Sequence, residues 1–254
     1  MSTGNTKYGA GALQNNTTIG GNSTAVGIDA LKISSEKWNT AVGAYSGLAT
    51  TTGISNTSVG VNSLLQNTTG SYNTALGTAT LLKNTTAINN TAVGSNSMEN
   101  NTTGQFNTAV GSIALYNNTT GTQNTALGNE ALFSNTTSSG NTAVGFDALK
   151  ANTGGNNTAL GNQALLQNTT SSGNTALGNE ALKANTGLNN TAVGNQALRF
   201  NTTAQGNAAL GNQALYNNTI GANNTALGNQ ALLSNTDGKD NTAIGFYSLP
   251  SNTS

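Results

Sequence analysis

A glycine recurs about every 17 residues from one end of this chain to the other, each time in the same surroundings. The series runs Gly9, Gly27, Gly43, Gly60, Gly77, Gly94, Gly111, Gly128, Gly145, Gly161, Gly178, Gly194, Gly211, Gly228 and Gly245, fifteen repeats spaced mostly by 17 residues, sometimes by 16 and once by 18. A repeat of this period has to be read first, because it decides the architecture. The unit is too short for a pair of helices with their turns. Its Asn, Thr and Gly are poor helix formers, and an interior Gly costs a helix about 1 kcal/mol. A leucine-rich repeat would carry more Leu per unit. The expected fold is all-β: a parallel β-solenoid or β-roll of about fifteen 17-residue coils with uncapped ends. It forms one repeat domain over residues 5–254, with irregular coils at 5–55 and regular coils at 56–254. At about 4.8 Å per coil, such a stack is a rod roughly 70 Å long.

The columns of the repeat assign faces. Two residues before each glycine stands a small residue, usually Ala, as in Ala41, Ala126 and Ala226. One before stands an aliphatic: Val26, Val93, Leu127, Leu227. Four after stands Leu or Met: Leu31, Met98, Leu132, Leu232. Alternation along Asn-Thr-Ala-Val-Gly sends Thr and Val to one face and Asn, Ala and Gly to the other. With the large aliphatics inside, the expected core is Val26, Leu31, Val93, Leu127, Leu132, Leu227 and Leu232. The Ala column then faces outward as a stripe on which another backbone can pack. Two Asn columns are expected to form hydrogen-bonded ladders from coil to coil. They include Asn73, Asn90, Asn107 and Asn124 before the strand, and Asn118 and Asn135 after the second Leu. Length variation falls between Asn-Thr and the next strand, as in Asn152-Thr153-Gly154 against Asn168-Thr169-Thr170-Ser171, which marks a tolerant turn. The third unit reads as carrying an inserted residue at Ala44-Tyr45-Ser46-Gly47-Leu48.

Composition removes several function classes. There is no Cys and no His, so no disulfide framework, thiolate site or His-based nucleophilic mechanism is available within one chain. Eight Lys and Arg balance eight Asp and Glu without a basic stripe, which argues against a nucleic-acid partner. No apolar run is long enough to span a membrane, and Met1-Ser2-Thr3-Gly4-Asn5 lacks the features of a secretory signal. No cofactor and no metal site are expected. Asp237-Gly238-Lys239-Asp240 reads as a charged turn. Asp29, Glu130, Asp147 and Glu180 occupy equivalent positions in different coils, but nothing marks the cleft that two-carboxylate chemistry needs.

Aromatic and Arg side chains are favoured in recognition surfaces. Trp38, Tyr45, Tyr116 and Tyr216 are therefore the candidates for recognition or assembly. A regular Thr array (Thr40, Thr74, Thr91, Thr125, Thr158, Thr225) suits strand ladders and would also suit ordering of surface water.

At Asn-Thr-Ala-Val-Gly followed by Ala-Leu, over about residues 5–254, the sequence resembles the head repeats of trimeric autotransporter adhesins. It is still more similar to the Asn-Thr-Ala-Val-Gly arrays of phage tail-fibre-domain proteins. The adhesin resemblance implies a left-handed parallel β-roll, a homotrimer, and display on a cell surface or virion fibre for attachment to a host receptor or glycan. The units here are longer than the adhesin repeats, and no coiled-coil stalk or anchor accompanies them. The function expected is a non-catalytic, extracellular structural fibre whose main partner is itself, as a trimer or as an end-to-end filament. Both ends read as open repeats, the last being Asn252-Thr253-Ser254. The alternatives are an ice- or surface-binding solenoid using its Thr ladders and, last, a carbohydrate-acting enzyme.

Overall fold

The computed structural model describes residues 4–15 and 21–252; of the open repeat at the C-terminal end only Asn252 lies among them. The fold is a parallel β-solenoid with no helix among the described residues. Each coil contributes one three-residue strand, β1 (Thr6–Tyr8) through β15 (Thr242–Ile244). Two compact units are distinguished, Met1–Asn124 and Thr125–Ser254. In the first unit β1 to β7 (Thr108–Val110) pair in sequence order, all parallel and in register, Thr on Thr and, apart from Lys7 and Ser58, Ala on Ala. In the second, β8 (Thr125–Leu127) to β15 do the same, with Ala208 in place of one Thr.

Where another coil follows, the glycine that closes the strand is required twice over; at Gly245, the last of the series, only the dihedral demands it. At Gly60 the backbone sits at φ +134°, and a Cβ there would lie 2.3 Å from the carbonyl oxygen of Gly77 in the next coil. No side chain fits either the dihedral or the space.

The opposite wall of the coil is not a β-strand. It is a run of turns in which left-handed residues alternate with right-handed ones. Residues two and four after the glycine both have positive φ, as at Asn62 (58°) and Leu64 (54°). The turns still hydrogen-bond between coils. The Asn62 N–H donates to the Ala44 carbonyl at 3.0 Å and the Leu64 N–H to the Thr80 carbonyl at 2.9 Å. This backbone explains why the second aliphatic column contains Leu and Met but no Val or Ile. Branching at Cβ is poorly tolerated at positive φ.

The interior reverses one expectation. The Ala column faces in: Ala41, Ala75, Ala92, Ala126 and Ala159 are fully buried. Leu31, Leu132 and Leu232 are buried with it, but Val26, Val93 and Leu127 are only half-buried and Leu227 is exposed. The alternation along the strand is the one expected; the face assigned to the core is the other one. The reason is width. Leu side chains from the turn wall already fill the space between the walls, so the facing strand has room only for a small side chain. The branched aliphatics are displaced to the outside.

The apparent insertion in the third coil is also a substitution. Gly47 takes the place of the buried Leu, with φ +60°, and its N–H keeps the ladder bond to the Ser63 carbonyl at 2.9 Å. The missing side chain is replaced by a neighbour, since Leu31 Cδ2 lies 2.9 Å from where a Gly47 Cβ would be. Length variation does fall in the turn after the second Asn. Asn67 Nδ2 donates to the carbonyl three residues on, Gly70, at 2.9 Å, whereas in a shorter coil Asn152 Nδ2 reaches Gly154, two residues on, at 2.6 Å.

Candidate functional site

The functional candidates of a repeat protein are its columns, and each is positioned by the backbone ladder. The two Asn columns belong to the interior. Asn73, Asn90, Asn107, Asn118, Asn124 and Asn135 are all fully buried. They do different work. In the column before the strand, each side-chain oxygen accepts the backbone N–H of the equivalent Asn in the next coil, as Asn90 Oδ1 does from Asn107 at 2.9 Å. The same amide donates outward from the coil, Asn90 Nδ2 to the Gly104 carbonyl at 2.9 Å. In the second column the amides bond to one another: Asn118 Nδ2 to Asn101 Oδ1 at 2.8 Å, and Asn101 Nδ2 to Asn84 Oδ1 at 3.1 Å. Buried amides in this fold are structural groups that satisfy backbone and side-chain donors at the corners.

The outer face of the strands carries Thr and Val or Leu. Val42, Val59 and Val110 in the first unit, and Leu160, Leu210 and Leu227 in the second, are each more than a third exposed. Between them run half-buried or exposed Thr residues, among them Thr40, Thr74, Thr125, Thr158 and Thr225. Each unit therefore presents a Thr-x-Val/Leu array repeated at the coil spacing. The sequence already contained this array; only the assignment of inside and outside concealed it.

Two groups of charged residues on adjacent coils of the second unit pair locally. Lys150 bridges Glu130 and Asp147 of adjacent coils, with its ammonium 3.2 Å from Asp147 Oδ1. Glu130 first, and then Asp147, hold that ammonium above its ordinary range. Glu180 pairs with Lys183 at 2.6 Å and with Arg199 at 2.7 Å, and accepts from Gln196 Nε2 at 3.0 Å. The Lys183 hydrogen bond is the largest of the influences that bring the Glu180 carboxyl down to about 2. Gln213 and Gln230 continue this outer ladder, each donating to the Gln before it at 3.0 Å. A concavity beside Lys7, Tyr8 and Asp29 holds one carboxylate, and another, beside Lys183, Arg199 and Phe200, holds none. Among the described residues no three acidic groups gather as a metal site. At the C-terminal end Asp237 Oδ1 accepts from its neighbour Thr236, and Asp240 Oδ1 accepts from Asn223.

The four recognition candidates do not form one surface. Trp38 lies five residues before its glycine, Tyr45 two after, and Tyr116 and Tyr216 five after. Trp38 and Tyr45 are exposed, and Tyr116 and Tyr216 are half-buried. Tyr216 is engaged within the second unit: its hydroxyl accepts from Arg199 at 3.2 Å and its ring meets Phe200 edge-on at 5.1 Å. Sequence reasoning missed two residues that share the Trp38 column, Tyr72 and Phe106, each 54% exposed. The signal was available as a period of two repeats, from Trp38 to Tyr72 to Phe106. All three have positive φ, 62°, 60° and 58°. That conformation costs a side chain with a Cβ roughly 1–2 kcal/mol.

No helix among the described residues is long and apolar enough to cross a membrane. No family model matches the chain, and no curated protein matches it.

Proposed function

We propose that this chain is a non-catalytic structural repeat protein that self-associates side to side through the outer Thr-x-Val/Leu face of its strands. The observation that carries this reading is a row of more-than-third-exposed aliphatics on the in-register parallel strands of each unit, Val42, Val59 and Val110 in the first and Leu160, Leu210 and Leu227 in the second. Exposed apolar rows of this kind mark an association surface. Parallel strands that are apolar on both faces are ordinarily covered on both. The Ala stripe is inside and takes no part; its place as the contact face passes to the branched aliphatics. A parallel homotrimer used as a surface-displayed attachment fibre fits the resemblance of the repeat to adhesin heads and tail-fibre arrays.

The test is sedimentation of the whole chain at micromolar concentration. The expected result is a folded species larger than one chain, shifted to the monomer by Leu210→Lys together with Leu160→Lys, with the circular dichroism spectrum retained. A stable folded monomer of the unaltered chain would overturn the reading.

The same face favours a second use, ordering of interfacial water as an ice-binding plane, because Thr hydroxyls and aliphatic methyls repeat there at the coil spacing. It competes with self-association, since one face cannot be both covered and wet. Thermal hysteresis measured on the same samples separates the two: activity in a monomer supports the ice plane.

A further inference from the structure

We propose that one edge of the first unit is a binding track for a β-1,4-linked glucan chain, seated on the rings of Trp38, Tyr72 and Phe106. The proposal is independent of the self-association face, which lies four residues along the chain at Val42 and its equivalents.

The three rings form a true column. The N–H of Trp38 donates to the Gly21 carbonyl at 2.9 Å, that of Tyr72 to Ile54 at 3.0 Å, and that of Phe106 to Ile88 at 3.3 Å. Ser55 and Asn89 fill the coils between them with the same bond, to Lys37 and Ser71. Successive rings are therefore two coils apart, about 9–10 Å.

Packing does not account for these residues. Each ring is more than half exposed. Each backbone is in the left-handed region, where this column elsewhere holds Gly or a polar residue, such as Gly140, Gly173, Asn156, Asn189, Gln123 and Asp240. The backbone is left-handed at every coil of this column, Ser55 and Asn89 included; what recurs at alternate coils is a large exposed ring where a small or polar residue suffices, and an exposed aromatic row that packing does not require points to a ligand.

The spacing selects the ligand. A β-1,4-linked glucan is a flat ribbon in which every second ring presents the same face in the same line. Its repeat is one disaccharide, close to the length of two coils. Aromatic faces stack on the apolar C–H faces of such rings, combining a large apolar contact with precise orientation. The short polar side chains of Ser55 and Asn89 stand where the intervening rings pass and can hydrogen-bond their hydroxyls. An α-1,4-linked glucan coils away from a straight track and meets one ring at most. Within the first unit the column carries no charge, which suits a neutral chain.

Calorimetry of the full chain with cellohexaose, and with maltohexaose as the comparator, tests this. Trp38 is the only tryptophan, so its emission reports occupancy directly. Expected are cellohexaose binding with a blue-shifted Trp38 emission, at least tenfold weaker binding of maltohexaose, and weaker binding of cellotriose, which reaches fewer rings. Trp38→Asn, Tyr72→Asn and Phe106→Asn are each expected to weaken cellohexaose binding about tenfold, and the triple variant to abolish it. Because Asn is the residue this backbone accepts elsewhere, the triple variant should melt no lower than the parent, so lost binding cannot be read as lost fold. Undetectable cellohexaose binding, equal affinity for maltohexaose, or full affinity in the triple variant would each overturn the proposal.

Discussion

The side-chain oxygen of Asn73 accepts the backbone N–H of Asn90 at 3.1 Å, with both residues fully buried. The same relation passes on to Asn107 and Asn124 at 2.9 Å each. One amide thus closes the corner of its own coil and sets the start of the next strand.

Removing such an amide exposes its partners. In Asn90→Ala the N–H of Asn107 is left buried without its acceptor, while the Gly104 carbonyl keeps the Asn101 amide at 3.0 Å. An orphaned buried donor costs about 1–3 kcal/mol, so we expect a loss of about 1–3 kcal/mol in chemical denaturation. Asn195→Ala, at an exposed amide, is expected to stay within about 0.5 kcal/mol.

The left-handed wall makes a prediction about branching. Ile113 is a β-branched residue at φ 50°. Replacing it with Gln, the residue at the equivalent Gln163, Gln196, Gln213 and Gln230, should stabilise the first unit by about 1 kcal/mol. At Leu115, φ 51°, Leu→Val should cost about 2–3 kcal/mol, one methylene plus the strain of a branched Cβ. Leu115→Met, which copies Met98, should cost less than about 1.5 kcal/mol. Thermal melts of the three variants rank them.

The reversed strand face is tested by two adjacent substitutions. Ala226 is buried and Leu227 is 41% exposed. Ala226→Val adds bulk to a filled interior and should destabilise by about 1–3 kcal/mol. Leu227→Thr should change chain stability by about 1 kcal/mol or less. The opposite ranking would restore the Leu column to the core.

Acid should weaken the second unit through Glu180. Its carboxyl is held near 2, below its ordinary 4.5, by Lys183 and then by Arg199 and Gln196. A folded-state value below the unfolded one means that this contribution is complete above about pH 4.5 and is lost as pH falls from there toward 2. In Glu180→Gln the dependence of stability on pH over that window should be shallower than in the parent. Denaturation series at pH 6, 4 and 3 measure the difference, which cancels the carboxylates common to both chains.

Much of the fold was legible in the residues themselves. Gly60 and its equivalents announced the coil period, the Asn columns announced buried ladders, and the turn lengths near Asn152 and Asn168 announced where variation is tolerated. The orientation of the strand was not legible, because a period of two defines two faces without saying which is inside. Nor was the left-handed wall, since Leu and Gln carry no obvious sign of positive φ; only the exclusion of Val and Ile from the Leu column hints at it. The Tyr72 and Phe106 rings escaped notice because their column, Trp38 apart, is otherwise Gly or a polar residue, and they matter only once alternate coils are known to lie two rises apart.

What the sequence determined by itself is the repeat. A 17-residue period with obligatory Gly and Asn stacks identical residues, because identical coils satisfy one another's backbone bonds in register. What only the tertiary structure decided is which side of the strand is the interior. That depends on the distance between the two walls. With Leu projecting from the turn wall there is room opposite only for a small side chain, so Ala226 goes in and Leu227 is left on the surface.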